Sequence, residues 1–342
     1  MQTSRKLTHA LFALFALVVM SASALAQSTV SLKPGDLYPQ TSEVSDQKAG
    51  SVLFYNYYTS GTTAATNTRM NITNTSTTSS ANVHFFFVDA VTCNIADNFI
   101  CLTPNQTTSI LASEVDPLTT GFAVAVASDN QTGCPIAFNH LIGDEYFKTA
   151  THAANLGAEA IAALFPGGIT PECTGSSVTA TLNFNGTQSL SALNYNKVPQ
   201  VLAIDNFASR ADGNDTLVII NRVGGNLGIG ASSVGSIFGI AYDDIENPGS
   251  FNFSSSRCQF QFNITGSFPR TAPPLSSLVP AGRSGWMKFW SPGGFGLLGA
   301  AVNAVTATGD AAGAGFAGGH NLHKLTLAPT ASLVIPIFPP NC

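Results

Sequence analysis

The sequence predicts an all-β protein made of two tandem β-sandwiches. Only 10% of the residues are charged, whereas 44% are hydrophobic. Short runs rich in β-branched and aromatic residues recur along the chain, separated by Gly, Asn, Asp, Ser and Thr, which is the pattern of strands and turns. This composition is typical of extracellular β-proteins rather than of charged, helical cytosolic ones.

The first segment, Met1–Ala26, has the pattern of a cleavable signal peptide. Two basic residues precede the apolar run Ala10–Met20, and Ala24–Ala26 supplies small residues for cleavage. The run has about half of the roughly 20 residues that a membrane-spanning helix needs. We therefore expect a secreted protein, periplasmic or extracellular, without a transmembrane segment in the mature chain.

A flexible leader is predicted next, at residues 27–50, because Pro, Gly, Ser and charged residues alternate there without periodicity. Residues 51–165 are predicted to form the first domain. About seven short strands over roughly 100 residues is the pattern of an immunoglobulin-like sandwich. The buried Trp of antibody domains is missing, since Trp286 and Trp290 lie far downstream.

One short helix is predicted at the end of the first domain, over Thr151–Phe165. Ala, Leu and Glu recur there at helical spacing, and Pro166 with two glycines would end the helix. Residues 166–177 are then the expected linker. A second, enlarged β-sandwich domain is expected over 178–342, where a new series of strand patterns begins.

The two halves look like copies of one domain, because three segments of the first half have echoes in the second. The expected correspondences are Thr68–Asn74 with Thr216–Asn221, Phe85–Asp89 with Phe238–Asp243, and Phe122–Ser128 with Leu298–Thr306. An insertion around Asn247–Ala281 would account for the greater length of the second copy.

A resemblance supports this organisation. The segments Asn67–Asn74 (NTRMNITN), Val83–Asp89 (VHFFFVD), Asp97–Ser109 and Ala153–Leu164 (AANLGAEAIAAL) resemble those of uncharacterised secreted bacterial proteins built of tandem immunoglobulin-like β-sandwich domains. The resemblance spans most of the mature chain. It implies the fold and export, and it implies no activity or site residue.

All six cysteines follow the signal segment, and an even number in an exported chain favours disulfides over metal thiolates. The candidates are Cys93, Cys101, Cys134, Cys173, Cys258 and Cys342. Six cysteines allow 15 connectivities. Proximity along the chain favours the pairs 93–101, 134–173 and 258–342, with buried free thiols as the alternative.

Charge excludes one class of partner. The signal segment holds two of the 14 basic residues and none of the 19 acidic ones, which leaves the mature chain acidic. Nucleic acid is therefore not an expected partner.

Known enzyme signatures are missing too: Ser284 lies in Gly282–Trp286 (GRSGW), which lacks the second glycine of a nucleophile elbow. Acidic groups at Asp144-Glu145 and Asp243-Asp244 leave open a hydrolase whose acids assemble only in the fold.

Two metal sites deserve consideration from the sequence. Oxygen ligands suited to Ca²⁺ cluster around a glycine in one loop, with one more upstream; they are Asp205, Asp212, Asn214 and Asp215. The alternative is an ordinary turn. The pair His320 and His323 lies in or beside a predicted strand, where residues three apart face opposite sides, so we expect ordinary loop histidines there.

An aromatic pattern marks a possible binding face. In a strand, Trp286, Lys288 and Trp290 would share one face and Met287 and Phe289 the other. Two indoles beside a cation suit stacking on a sugar or on a partner. The alternative is that these rings cover the core.

Together these patterns predict a non-enzymatic secreted or cell-surface protein, acting as an interaction or structural module for a protein or glycan. A carbohydrate-binding module that uses the aromatic platform is the first alternative, and the hydrolase is the second. No cofactor is predicted apart from the candidate Ca²⁺.

Overall fold

The computed structural model describes residues 44–340, except 62, 64, 169 and 307–316. The predicted signal peptide, most of the predicted leader and Cys342 lie outside the described residues. Within them the chain forms 22 strands, and its helices are single turns: α1 (Ala112–Val115), α2 (Leu275–Leu278) and a 3-10 turn (Arg210–Asp212). The prediction of an all-β protein is confirmed. The described residues contain no helix of the length and apolarity that a membrane crossing requires.

Two sheets pack face to face in the first half of the chain. The inner sheet has the strand order β4-β3-β6-β1-β9 and the outer sheet the order β5-β2-β7-β8. Their strands are β1 (Val52–Thr59), β2 (Asn67–Asn74), β3 (Ala81–Asp89), β4 (Ile95–Leu102), β5 (Thr107–Leu111), β6 (Thr120–Ser128), β7 (Leu141–Lys148), β8 (Ala153–Gly157) and β9 (Glu159–Ile161). Leu53, Met70 and Phe85 are among the buried side chains that form the core between them.

Two further sheets pack together in the second half. The front sheet has the order β16-β15-β18-β11-β21 and the back sheet the order β17-β12-β19-β20. Their strands are β11 (Pro199–Ala208), β12 (Asn214–Val223), β15 (Gly235–Asp243), β16 (Pro248–Ser255), β17 (Gln259–Asn263), β18 (Ser284–Trp290), β19 (Gly296–Val305), β20 (Gly318–Asn321) and β21 (His323–Leu327). Ile204, Val218 and Met287 belong to the core between these sheets.

The second sandwich repeats the strand order of the first. Each strand from β1 to β9 has its counterpart, in sequence, among the nine strands of the front and back sheets. A one-turn helix also recurs, since α1 follows β5 and α2 follows β17. The shared order supports a duplication. The counterpart of β6 is β18, so the expected match of Phe122–Ser128 with Leu298–Thr306 is wrong. Residues 247–281 hold the counterparts of β4, β5 and α1 and are not an insertion.

A fifth sheet, the closing sheet, covers the remaining face of the inner sheet. It has the order β10-β22-β13-β14, with strands β10 (Thr179–Asn183), β13 (Gly225–Asn226), β14 (Gly230–Ala231) and β22 (Ser332–Pro336). Its Leu182 and Ile335 share a core with Phe54, Phe86 and Val124 of the inner sheet. The central strands of the inner sheet are therefore buried on both faces, which explains why β1, β3 and β6 are continuous apolar runs rather than alternating ones.

The two sandwiches also share a tightly bonded interface. Tyr57 and Phe147 of the first pack against Ile219 and Val302 of the second. A buried amide network runs beside this cluster. The Asn221 side chain donates to the carbonyl oxygen of Asn56 at 2.9 Å. That of Gln259 donates to the same oxygen at 3.0 Å. Because these amides are satisfied across the interface, separating the sandwiches would leave buried polar groups without partners.

The predicted helix over Thr151–Phe165 is wrong. The segment instead forms β8, which pairs with β7, and β9, which pairs with β1, so the chain passes from the outer to the inner sheet near Ala158. Burial alternates from His152 to Leu156 and becomes continuous afterwards. Alanine favours a helix by only a fraction of a kcal/mol per residue. Pairing with β1 and β7 outweighs that preference.

The predicted start of the first domain, residue 51, is also too late. Val44, inside the predicted flexible leader, is 3% exposed and belongs to a core. Ser45 and Ala160 form an antiparallel bridge, with N–H to carbonyl distances of 3.1 and 2.8 Å. The leader residues around Ser45 are thus part of the first sandwich, because they pair with β9 at the edge of the inner sheet.

The disulfides confirm one predicted pair and correct the others. Cys134 is bonded to Cys173, as proximity predicted, and this ties the predicted linker to the first sandwich. Cys93 is bonded to Cys258, 165 residues away, so the pairs 93–101 and 258–342 are wrong. Cys101 is also disulfide-bonded. Proximity along the chain predicted the wrong partners because the loop after β3 lies against the start of β17. There the N–H of Cys258 donates to the carbonyl oxygen of Ala90.

Candidate functional site

The outer surface of the front sheet carries the predicted aromatic residues. Along β18, Trp286, Lys288 and Trp290 are partly exposed, whereas Met287 and Phe289 are buried. The neighbouring strand β15 alternates in the same way. Because Tyr242 pairs with Trp286 in the ladder between these strands, the two strands place their rings side by side on one surface. We call this surface the aromatic face and define it by Phe238, Tyr242, Trp286, Lys288 and Trp290.

Each indole of the aromatic face packs on a ring of the neighbouring strand rather than on the other indole. Trp286 stacks on Tyr242 with centroids 4.2 Å apart and planes 10° apart. Trp290 contacts Phe238 at 5.0 Å and 57°. The Lys288 ammonium lies 5.9 Å from the centre of the Tyr242 ring. Cross-strand stacking holds these side chains in defined rotamers, so the face is rigid before any ligand arrives.

Hydrogen-bonding groups border the aromatic face along β16. Ser250, Asn252 and Ser254 are exposed there, in register with Ile240, Phe238 and Ser236 of β15. At the other end, Trp286 Nε1 donates to a carboxylate oxygen of Glu246 at 3.3 Å. The surface therefore combines apolar rings with hydroxyl and amide groups and only a few charges.

The four residues considered for Ca²⁺ have separate roles. Asp215 is buried, pairs with Arg210 and accepts from the Asn263 amide at 2.6 Å. Asn214 is buried and accepts from the Asn303 amide at 2.9 Å. An oxygen of Asp212 accepts from the N–H of Gly282 at 2.7 Å. Asp205 is exposed on β11. Arg210 thus already neutralises Asp215, and Asp212 and Asn214 are each bonded to a different partner.

Asp205 instead lies beside both His320 and His323, which the sequence predicted to face opposite sides of a strand. Among the described residues, the group of potential metal ligands consists of Asp205, His320 and His323, whose ligand atoms all lie within 4.8 Å of one another. Asp205 and His320 also border an open cleft of about 630 Å³, together with Arg283 and Asp244. The strand alternation used for the histidines does not apply, because β20 ends at Asn321 and β21 begins at His323 in a different sheet.

The acidic pairs considered for hydrolysis are divided between separate environments. Asp244 pairs with Arg283, and Asp243 accepts from the side-chain amide of Asn247 at 2.8 Å, so both stabilise the turn after β15. Asp144 accepts from the Asn71 amide at 2.8 Å. Its neighbour Glu145 faces the other way, is fully buried, and accepts from the Tyr57 N–H at 3.0 Å.

Glu145 has a buried acidic neighbour that sequence reasoning missed. Glu159 of β9 is 0% exposed, and burial raises the pKa values of both carboxyls; the nearby Glu159 raises that of Glu145 further, and Asp46 that of Glu159. Lys324 partly opposes the rise for Glu159. No signal in the sequence indicated this pair, since Glu159 fell within the segment predicted as a helix.

Comparisons with known proteins add little to this description. No protein-family model and no curated protein matches the chain. Among solved structures, one chain of the cowpea mosaic virus top component, a naturally occurring empty particle, aligns with 93% of this chain and 98% of its own length at 8% identity. Its TM-score of 0.14 is too low for any argument about fold or function.

Proposed function

We propose that this protein is a secreted or cell-surface binding module, built of two immunoglobulin-like repeats, that binds a neutral polysaccharide on the aromatic face. The observation that carries the proposal is the arrangement of Trp286 and Trp290 on one solvent-facing surface, each held by a ring of the neighbouring strand. The identical strand order of the two sandwiches supports the repeat, and the disulfides are compatible with export.

A sugar matches the chemistry of this surface better than an apolar partner does. A pyranose ring has C–H groups that pack on an aromatic ring and hydroxyls that need hydrogen-bond partners at its rim. The aromatic face supplies the rings, and Ser250, Asn252 and Ser254 supply hydroxyl and amide groups beside them. Because the rings are already held by stacking, binding would cost little side-chain entropy.

Tryptophan fluorescence offers a direct test of polysaccharide binding. The chain has two tryptophans and both lie on the aromatic face, so tryptophan emission, excited at the long-wavelength edge where tyrosine does not absorb, reports on this surface alone. We expect neutral polysaccharides, tested as a panel of glucans, mannans and galactans, to change the emission of the mature protein. At least one of them should also retard its migration in affinity electrophoresis.

Matched variants distinguish binding from stability. Trp286→Ala and Trp290→Ala should each abolish the retardation while the circular dichroism spectrum is kept. Tyr146→Ala removes an aromatic side chain that is 44% exposed on the outer sheet and should change nothing. If no polysaccharide in the panel affects emission or migration, the carbohydrate proposal is wrong, and the face would only stabilise the front sheet.

A further inference from the structure

We propose that Asp205, His320 and His323 form a binding site for Zn²⁺ that joins the two sheets of the second sandwich. The site is independent of the aromatic face. Two imidazoles and one carboxylate are the ligand types that zinc takes in proteins, and three ligands from the chain leave one position of a tetrahedron open to water.

The Asp205 carboxylate lies within ion-pair distance of both imidazoles, at separations that also suit metal ligands. His320 Nε2 lies 3.5 Å from Asp205 Oδ1, and His323 Nε2 lies 3.4 Å from Asp205 Oδ2. Both distances exceed the usual 2.7–3.2 Å of an N–H···O hydrogen bond. Ligands about 2.05 Å from a tetrahedral zinc ion are separated from one another by about 3.3 Å. The two nitrogen–oxygen distances are therefore close to those between ligands of one zinc ion, and all three ligand atoms lie within 4.8 Å of one another.

A hydrogen bond sets the tautomer of one ligand. His320 Nδ1 lies 2.9 Å from the carbonyl oxygen of Asn321. Since a carbonyl oxygen only accepts, Nδ1 must carry the proton, and the lone pair of neutral His320 is then on Nε2. That atom is the one facing Asp205. Metal-binding histidines commonly use their second nitrogen in this way, which orients the ring and raises its basicity.

The fold brings the ligands together from three strands. His323 pairs with Ala203 in the ladder between β21 and β11. Two residues later the pairing of β11 with β18 is interrupted by a bulge between Ile204 and Phe207. Asp205 lies in this irregular stretch, next to the buried Ile204, and is exposed. His320 belongs to β20 of the back sheet, so a bound ion would bridge the back and front sheets.

The ligand atoms also favour zinc over the calcium considered from the sequence. Ca²⁺ takes oxygen ligands, six to eight of them, whereas imidazole nitrogen suits Zn²⁺ and other late transition metals. The surrounding cleft contributes Asp212 and Asp244, but these acids are committed to Gly282 and Arg283. Asp205 is therefore the carboxylate available to the histidines.

The experiment uses the mature protein with any purification tag removed, because a polyhistidine tag would itself bind zinc. Titration with ZnCl₂ near neutral pH, followed by calorimetry and by the melting temperature, should show one site and a rise in the melting temperature. Co²⁺ in place of zinc should give the visible absorption of a tetrahedral site. CaCl₂ should neither raise the melting temperature nor compete with zinc.

Variants test the assignment residue by residue. Asp205, His320 and His323 have side chains that are 58%, 44% and 54% exposed, so their substitution should leave the fold intact. Asp205→Asn, His320→Ala and His323→Ala should each weaken zinc binding at least tenfold. His140→Ala, in the first sandwich, is the matched control and should bind as the wild type does.

Three outcomes would overturn the site: no zinc binding by the wild type, equal binding by the H320A/H323A variant, or a melting-temperature rise with Ca²⁺ that Asp205→Asn removes but H320A/H323A keeps. The last result would assign Asp205 to an oxygen-ligand site instead.

Discussion

The Lys324 ammonium lies 2.8 Å from a carboxylate oxygen of Glu159. Lys324 is on β21 at one edge of the front sheet, and Glu159 is on β9 at one edge of the inner sheet, so the pair connects the two sandwiches. The Glu159 side chain is buried, whereas that of Lys324 keeps 15% exposure. Burial raises the pKa of Glu159 to about 7, against the opposing effect of Lys324.

This pKa makes stability depend on pH. Glu159 titrates near 7 in the folded protein and near 4.5 without its surroundings, so the folded state binds more protons between these values. The contribution of Glu159 to the free energy of unfolding should therefore fall as the pH rises from about 4.5 to about 7 and then level off. This fall is about 3 kcal/mol.

Glu159→Gln should remove that contribution. Denaturant unfolding at several pH values would give the difference between variant and wild type, which should grow between pH 4.5 and 7 in favour of the variant. Glu114→Gln, at an exposed position, should run parallel to the wild type. Parallel curves for Glu159→Gln would contradict the raised pKa.

The disulfide between Cys93 and Cys258 should be the more stabilising of the two described here. Its cysteines are 165 residues apart, against 39 for Cys134 and Cys173. Chain-entropy arithmetic gives about 5 kcal/mol for the longer loop and about 4 for the shorter. The C93S/C258S variant should lose more unfolding free energy than C134S/C173S in denaturant titrations. Non-reducing peptide maps that join Cys93 to Cys101 would contradict this pairing.

The first sandwich should not fold without the closing sheet. A fragment of residues 51–165 would expose Phe54, Phe86 and Val124, which are fully or almost fully buried against the closing sheet, and would leave Cys134 without its partner. An exposed apolar sheet face of this kind promotes association. We expect aggregation in size-exclusion chromatography, while the mature chain, with all six cysteines, elutes as a discrete species. A monomeric fragment with cooperative unfolding would support two independent domains instead.

The two sides of β18 should differ in their tolerance of substitution. Phe289 is 0% exposed and lies in the core of the second sandwich, so Phe289→Ala should cost about 3–5 kcal/mol of unfolding free energy. Trp290→Ala removes a partly exposed ring that contacts Phe238 and should cost clearly less, about 1–2 kcal/mol. Thermal or denaturant unfolding of both variants would decide. Equal losses would mean that the aromatic face is a second core surface.

The sequence alone determined the local properties of this chain. Strand character follows from runs of β-branched and aromatic residues, and the alternation in Trp286–Trp290 placed the indoles on one face because side chains in a strand point to alternate sides. The Cys134–Cys173 pair was also accessible, since its partners are near in sequence. Each of these features depends on neighbours along the chain.

Tertiary structure decided whatever depends on residues far apart in sequence. The segment around Glu159 became two strands because β1 and β7 were available to pair with it, a contact that outweighs the helix preference of alanine. Cys93 is bonded to Cys258 because the two sandwiches pack together. His320 and His323 lie beside Asp205 because the chain passes from the back sheet to the front sheet at Leu322, where β21 pairs with β11. Sequence periodicity cannot report such contacts, since it records which side of a strand a residue faces and not which strand lies beside it.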